Sequence, residues 1–236
     1  MDHATFLLAF TAVSIGFLHT LLGPDHYLPF IVLSRAKRWS QRKTLIITFF
    51  CGIGHVSSSV ILGLIGIVVG VELKKITAIE SFRGNIAAWL FIAFGLVYMV
   101  ISIRNLIKNR KHSHSHYHLN GEKHVHEHDH HLEHTHVHEH EAVNTTPWIL
   151  FLIFVFGPCE PLIPLVMYPA ASNNLSGALI VAIIFSIVTI STMMTIVYAT
   201  NKGLNRINLK PVEKYSNVIA GAIILVSGLA IQFLGL

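Results

Sequence analysis

Charged residues are scarce in this chain, 12% of 236, and cysteine is scarcer still, with two. With 53% apolar residues and a mean hydropathy of +0.60, so little charge excludes an ordinary soluble domain and points to a polytopic membrane protein. Both cysteines, Cys51 and Cys159, fall inside apolar runs, which speaks against a structural disulfide framework. The first apolar run is too long for a secretory signal peptide and lacks a small-residue cleavage site. No pattern for nucleotide hydrolysis is present, nor a nucleophile with a base, so no enzyme is expected and ATP use would need a separate subunit.

What the chain has instead is six apolar runs, at about 4–33, 45–70, 84–107, 147–170, 175–199 and 214–236. The first, third and fifth connections carry fourteen of the lysines and arginines, among them Arg35, Lys37, Arg38, Arg104, Lys108, Lys202 and Arg206. The opposite side carries three, Lys74, Lys75 and Arg83. By the positive-inside rule the first set is cytoplasmic and both termini face outward. The net charge of +5 is therefore a topology signal, and no nucleic-acid partner is expected.

Within the first run, residues 19–29 read His-Thr-Leu-Leu-Gly-Pro-Asp-His-Tyr-Leu-Pro. Asp25 at membrane depth costs roughly 2.5–3.5 kcal/mol on insertion scales, so it needs a counter-charge, a metal or water. Pro24 and Pro29 remove backbone donors, which predicts a helix break where His19, Asp25 and His26 cluster. Sliding the chain by 134 residues lays Gly23-Pro24-Asp25-His26 over Gly157-Pro158-Cys159-Glu160, and Val56-Ser57-Ser58 over Ile190-Ser191-Thr192. At 133 residues Ile79-Glu80-Ser81-Phe82 meets Val212-Glu213-Lys214-Tyr215, and Gly95-Leu96 meets Gly228-Leu229. Three spans per half make the halves inverted repeats, an arrangement in which broken helices meet near mid-membrane. Pro161, Pro164 and Pro169 reinforce the second break.

His19, Asp25, His26, His55, Cys159 and Glu160 are the donor-bearing residues expected to line one cavity. Imidazole, carboxylate and thiolate are the side chains that take first-row transition metals. Each also has a plainer reading: His55 as a core histidine bonded to a carbonyl, Asp25 with His26 as an ion pair pinning the break, Cys159 as a small filler. The serines and threonines of the second and fifth runs fit helix packing.

Between the third and fourth runs lies a low-complexity segment, 112–140, with thirteen histidines in alternation with Ser, Glu, Val and Thr. Such tracts bind metal by composition. It lacks apolar residues for a core, so disorder without metal is expected, with a role as buffer or sensor.

His19 followed by Asp25-His26 in one helix, then Gly54-His55-Val56-Ser57 in the next, resembles the nickel/cobalt transporters and urease-accessory-type permeases of the LysE superfamily. That family places four residues between its histidine and Asp-His. Here five intervene, a rotation of about 100° on an ideal helix that Pro24 is placed to absorb. The resemblance covers most of the membrane part and implies that His19, Asp25, His26 and His55 bind metal. The Gly157-Pro158-Cys159 turn is also similar to the proline-flanked cysteines of the thiol-disulfide membrane carriers in the same superfamily. Those carriers use a redox pair in equivalent positions of both repeats. Here Asp25 stands opposite Cys159, so electron transfer would have to recruit Cys51.

The expectation is an all-α polytopic protein of six transmembrane helices in two inverted three-helix repeats, 1–107 and 147–236, with proline-broken first helices and a cytoplasmic histidine-rich loop, 108–146. It would sit in a bacterial inner membrane with lipid and metal ions as partners, with room for a homo-oligomer. It would move a divalent transition-metal cation, nickel or cobalt first and zinc second, coupled to protons, with export favoured. Cys159 and Glu160 would approach the ion from the second repeat. The alternatives are a thiol-disulfide electron carrier and a metal-binding membrane protein without flux.

Overall fold

The chain opens with α1 (His3–Leu22), which passes through a 3-10 turn, Pro24–His26, into α2 (Leu28–Ala36). Two long helices follow, α3 (Gln41–Val69) and α4 (Leu73–Lys108). After the connection, α5 (Thr146–Phe156) is broken from α6 (Leu162–Ala171). Then come α7 (Leu175–Leu204), the short α8 (Lys210–Glu213) and α9 (Ser216–Leu234). The computed structural model describes residues 3–108, 113–117, 123–127, 145–171, 174–207 and 210–235. The helices α3, α4, α7 and α9 are each long and apolar enough to cross a bilayer. Large apolar side chains face outward along them and along α1, with Phe10, Val68, Phe82, Ile187 and Phe233 all exposed. In water such a surface would be a liability. Against lipid tails it is the ground state, and the protein is an integral membrane protein.

Local sequence sets the helix limits. Ser40 caps α3 by accepting from the Lys43 N–H at 3.2 Å. Gly70, at φ +71°, ends it in the left-handed conformation that glycine adopts without strain. Asn174 caps α7 by accepting from the Gly177 N–H at 2.8 Å. Helix α4 begins at Leu73 rather than near residue 84, eleven residues before its apolar run. Glu80, which lies outside the apolar runs, is fully buried and paired with Arg83 one turn later.

Packing brings the two halves of the chain together. The first broken helix lies mainly against α7 and α9, the second against α3, α4 and α7, while α3 packs on α7 and α4 on α9. Two buried clusters result. One gathers Phe30, Leu33, Cys51, Phe91, Phe154 and Met193, and the other Ala12, Cys159, Leu162, Val166 and Phe185. The α4–α9 contact is backbone on backbone. A Cβ on Gly221 would sit 2.6 Å from the Met99 nitrogen, and one on Gly95 would collide with the Leu225 backbone. Small residues that admit such an approach are a main source of helix association in lipid.

Of the connection, only backbone is described: strands β1 (Ser113–Tyr117) and β2 (Lys123–Glu127) pair antiparallel, Ser113 opposite Glu127. Outside this hairpin every described element is helical, as expected. The remainder of the histidine tract, and with it the expectation of disorder there, lies outside the described residues.

Gly221→Leu should lower the unfolding midpoint in detergent by the equivalent of about 1–3 kcal/mol, the usual cost of overpacking. Gly203→Ala, where nothing lies within 4 Å of the added carbon, should leave it unchanged or raised. Equal midpoints for wild type and Gly221→Leu would show that α4 and α9 do not touch as described.

Candidate functional site

At the first break the prolines stand where a helix has no use for their missing donor. Pro24 opens the 3-10 turn and Pro29 sits in the first turn of α2. The Gly23 N–H still closes α1 onto the His19 carbonyl at 3.0 Å, and the His26 N–H bonds the Gly23 carbonyl at 3.1 Å. Gly23 is required sterically, because a Cβ there would meet His26 Nδ1 at 2.6 Å. His26 Nδ1 donates to the Gly23 carbonyl at 3.1 Å and to Asp25 Oδ1 at 3.2 Å. The break thus holds its own ring and carboxylate in place.

The second break has the same logic and different side chains. The Gly157 N–H ends α5 on the Ile153 carbonyl at 2.9 Å. Pro158 and Pro161 lack donors, and the Cys159 N–H between them bonds Ser59 Oγ at 3.2 Å and Glu80 Oε2 at 3.3 Å. A Cβ on Gly157 would lie 3.0 Å from His55 Nδ1, so this break too comes up against the histidine of α3.

Both breaks open on one cavity of about 550 Å³. His19, Asp25, His26, His55 and Glu160 line it, together with Ser81, Asn85, Phe91 and Phe154. The His26 ring lies edge-on to His19 and to His55, with centroids 4.7 Å and 5.0 Å apart. One ligand nitrogen from each of the three lies within 4.8 Å of the others. His55 Nδ1 donates to the Phe154 carbonyl at 3.4 Å. Cys159 was expected on this wall and is not there. Its side chain is fully buried in the cluster with Ala12, Leu162 and Phe185.

Two residues that shape the site were missed in the sequence. Glu80 accepts from Ser59 Oγ at 3.1 Å as well as from the Cys159 N–H, and Arg83 pairs with Glu80. Arg83 also donates to Ser58 Oγ at 2.6 Å and to the Val155 carbonyl at 2.8 Å. The pair ties α3, α4 and the second break together. Its signal was an i, i+3 Glu/Arg pair abutting an apolar run, opposite three consecutive serines.

A family model, the cytochrome c biogenesis protein transmembrane region, matches residues 28–230. The match spans most of the chain, and the chain belongs to that family. Comparison with curated proteins and with solved structures gives no match.

Membership overturns the resemblance to nickel/cobalt permeases, which rested on two short motifs. With it falls the expectation of nickel, cobalt or zinc transport, and of a transition-metal cation as cargo. A proline-broken helix in lipid selects Gly, Asp and His to satisfy its own loose backbone, as the Gly23–Asp25–His26 bonds do, whether or not an ion passes.

Removing one partner of a buried ion pair strands the other, at a cost of about 3–5 kcal/mol. Arg83→Ala should therefore lower the thermal midpoint in detergent steeply, and Arg83→Ala with Glu80→Leu should recover much of the loss. If Arg83→Ala alone melts with the wild type, the pair does not hold the second break.

Proposed function

We propose that the chain is a thiol-disulfide carrier that passes reducing equivalents across the bilayer, with Cys159 as the exchanging thiol and Cys51 as its partner. The observation that carries this reading is the family match over residues 28–230, in a chain whose two cysteines are both buried, free thiols. Cys159 stands between two prolines at a helix break, with its N–H held by Ser59 and Glu80.

Oxidation of the Cys51 and Cys159 thiols to a disulfide gives two electrons and two protons to a protein disulfide on one face, which becomes a dithiol. A protein dithiol on the other face then restores the carrier: one of its thiolates attacks a sulfur of the carrier disulfide, and its second thiol resolves the mixed disulfide. In the conformation described the pair is apart. Ser59 lies against Cys159, and Cys51 is eight residues earlier on α3, about 12 Å along the axis. A disulfide needs Cα atoms within about 7 Å, so the cycle includes a movement of the Gly157–Pro161 break along α3. The Cys159 N–H would have to leave Ser59 and Glu80 in that movement.

In this reading the chain is a carrier and not an enzyme. It comprises two inverted three-helix repeats, 1–107 and 147–236, the first and fourth of six spans being the broken ones. The histidine loop, 108–146, is cytoplasmic in a bacterial inner membrane, with both termini outside. Two features support the repeat: α1 packs on α7 as α5 packs on α3, and α4 pairs with α9.

Purified protein treated with a disulfide oxidant should run faster on a non-reducing gel, and a dithiol should reverse the shift. Cys51→Ser and Cys159→Ser should each abolish it. No shift in the wild type, or a shift that survives either substitution, would contradict the proposal.

A further inference from the structure

Three imidazoles stand together at the cavity wall, and one nitrogen of each has no partner among the described residues. His26 and His55 are 3% and 4% exposed, and His19 is half-buried. The Nε2 atoms of all three are buried without a hydrogen-bond partner. Buried polar atoms are almost always satisfied, and three orphans on adjoining rings need a common explanation.

The other ring nitrogens supply it. His26 Nδ1 donates to Asp25 and to the Gly23 carbonyl, and His55 Nδ1 donates to the Phe154 carbonyl. A carboxylate or carbonyl on one ring nitrogen, which fixes the tautomer and leaves the other lone pair free, is the outer arrangement of metal-bound histidine. We infer that His19, His26 and His55 hold one resident cation of the zinc class, with its fourth position open to the cavity.

The ion is a fixed constituent of the fold and not a cargo. It joins the end of α1 and the first break to α3, stapling the interrupted helix to the wall that the second break also meets. Zinc bonds imidazole nitrogen at about 2.0–2.1 Å, which in a tetrahedron sets the nitrogens about 3.4 Å apart. The ligand nitrogens now lie within 4.8 Å of one another, so small ring movements close the site. Asp25 is engaged by His26, and Glu160, exposed in the same cavity, is not among the clustered ligands. The site stands on imidazole geometry alone and does not depend on the cysteine chemistry proposed above.

The test must separate this site from the histidine tract, and cobalt(II) does so. A four-coordinate cobalt ion absorbs strongly in the visible, and an ion held loosely by exposed imidazoles and water in six-coordination absorbs weakly. Full-length protein loaded with cobalt and washed with a weak chelator should retain one equivalent with the strong band. His26→Ala and His55→Ala should each lose it.

Asp25→Asn keeps all three rings, so it should keep the band while affinity falls about 10–100-fold. That variant covers the case in which the alanine variants fail to fold. A strong band that persists in both alanine variants, an affinity unchanged in Asp25→Asn, or a wild type that shows only the weak spectrum would each overturn the inference. The gel shift reads the thiols and the cobalt band reads the rings, so either can fail alone.

Discussion

Hydrocarbon offers no hydrogen bonds, and this fold nonetheless places two helix interruptions inside apolar segments. Every backbone group freed by Pro24, Pro158 and Pro161 must be satisfied by the protein itself. The first break answers with short-range bonds, Gly23 to His19 and His26 to Gly23, sealed by the Asp25 carboxylate on the His26 ring. The second answers with long-range ones, the Cys159 N–H reaching Ser59 and Glu80 on other helices. A carboxylate therefore stands at each break, Asp25 partly buried and Glu80 fully so, and each has a specific donor.

Helix α3 is where these two solutions meet. Its His55 contacts the His26 ring on one side and the Phe154 carbonyl on the other, and four residues on, its Ser59 holds Cys159. Its Gly54 accepts the side chains of Phe151 and Val155 so closely that a Cβ would come within 2.9 Å of both. One helix thereby sets the distance between the two breaks, and that distance defines the cavity. In the carrier reading the same helix is also the rail along which Cys159 and Cys51 must approach.

The breaks were legible because proline acts locally: a missing N–H interrupts a helix at that residue whatever surrounds it. The apolar runs located the spans for the same reason. Asp25 and Glu160 line the same cavity, and each follows a Gly-Pro turn that the 134-residue offset aligns. Less legible was anything decided by packing across helices. The i, i+3 spacing of Glu80 and Arg83 hints at their pairing, but nothing within the stretch reveals that they also satisfy backbone groups more than 70 residues away. Cys159 was expected on the cavity wall, yet the side on which a side chain emerges after Gly-Pro depends on the dihedral angles of the turn. The functional expectation failed for a related reason. His and Asp beside a glycine are chemically fit to bind an ion, and equally fit to close a helix break, and short motifs do not separate the two.

The central claim is that the two interrupted helices face each other across a single cavity. It is tested most directly by short-range thiol cross-linking in a chain whose own cysteines are replaced by serine, carrying Leu22→Cys on one wall and Glu160→Cys on the other. The account predicts that a short bifunctional thiol reagent joins the two within one chain. Both thiols reacting with a monofunctional reagent, yet never linking, would contradict it.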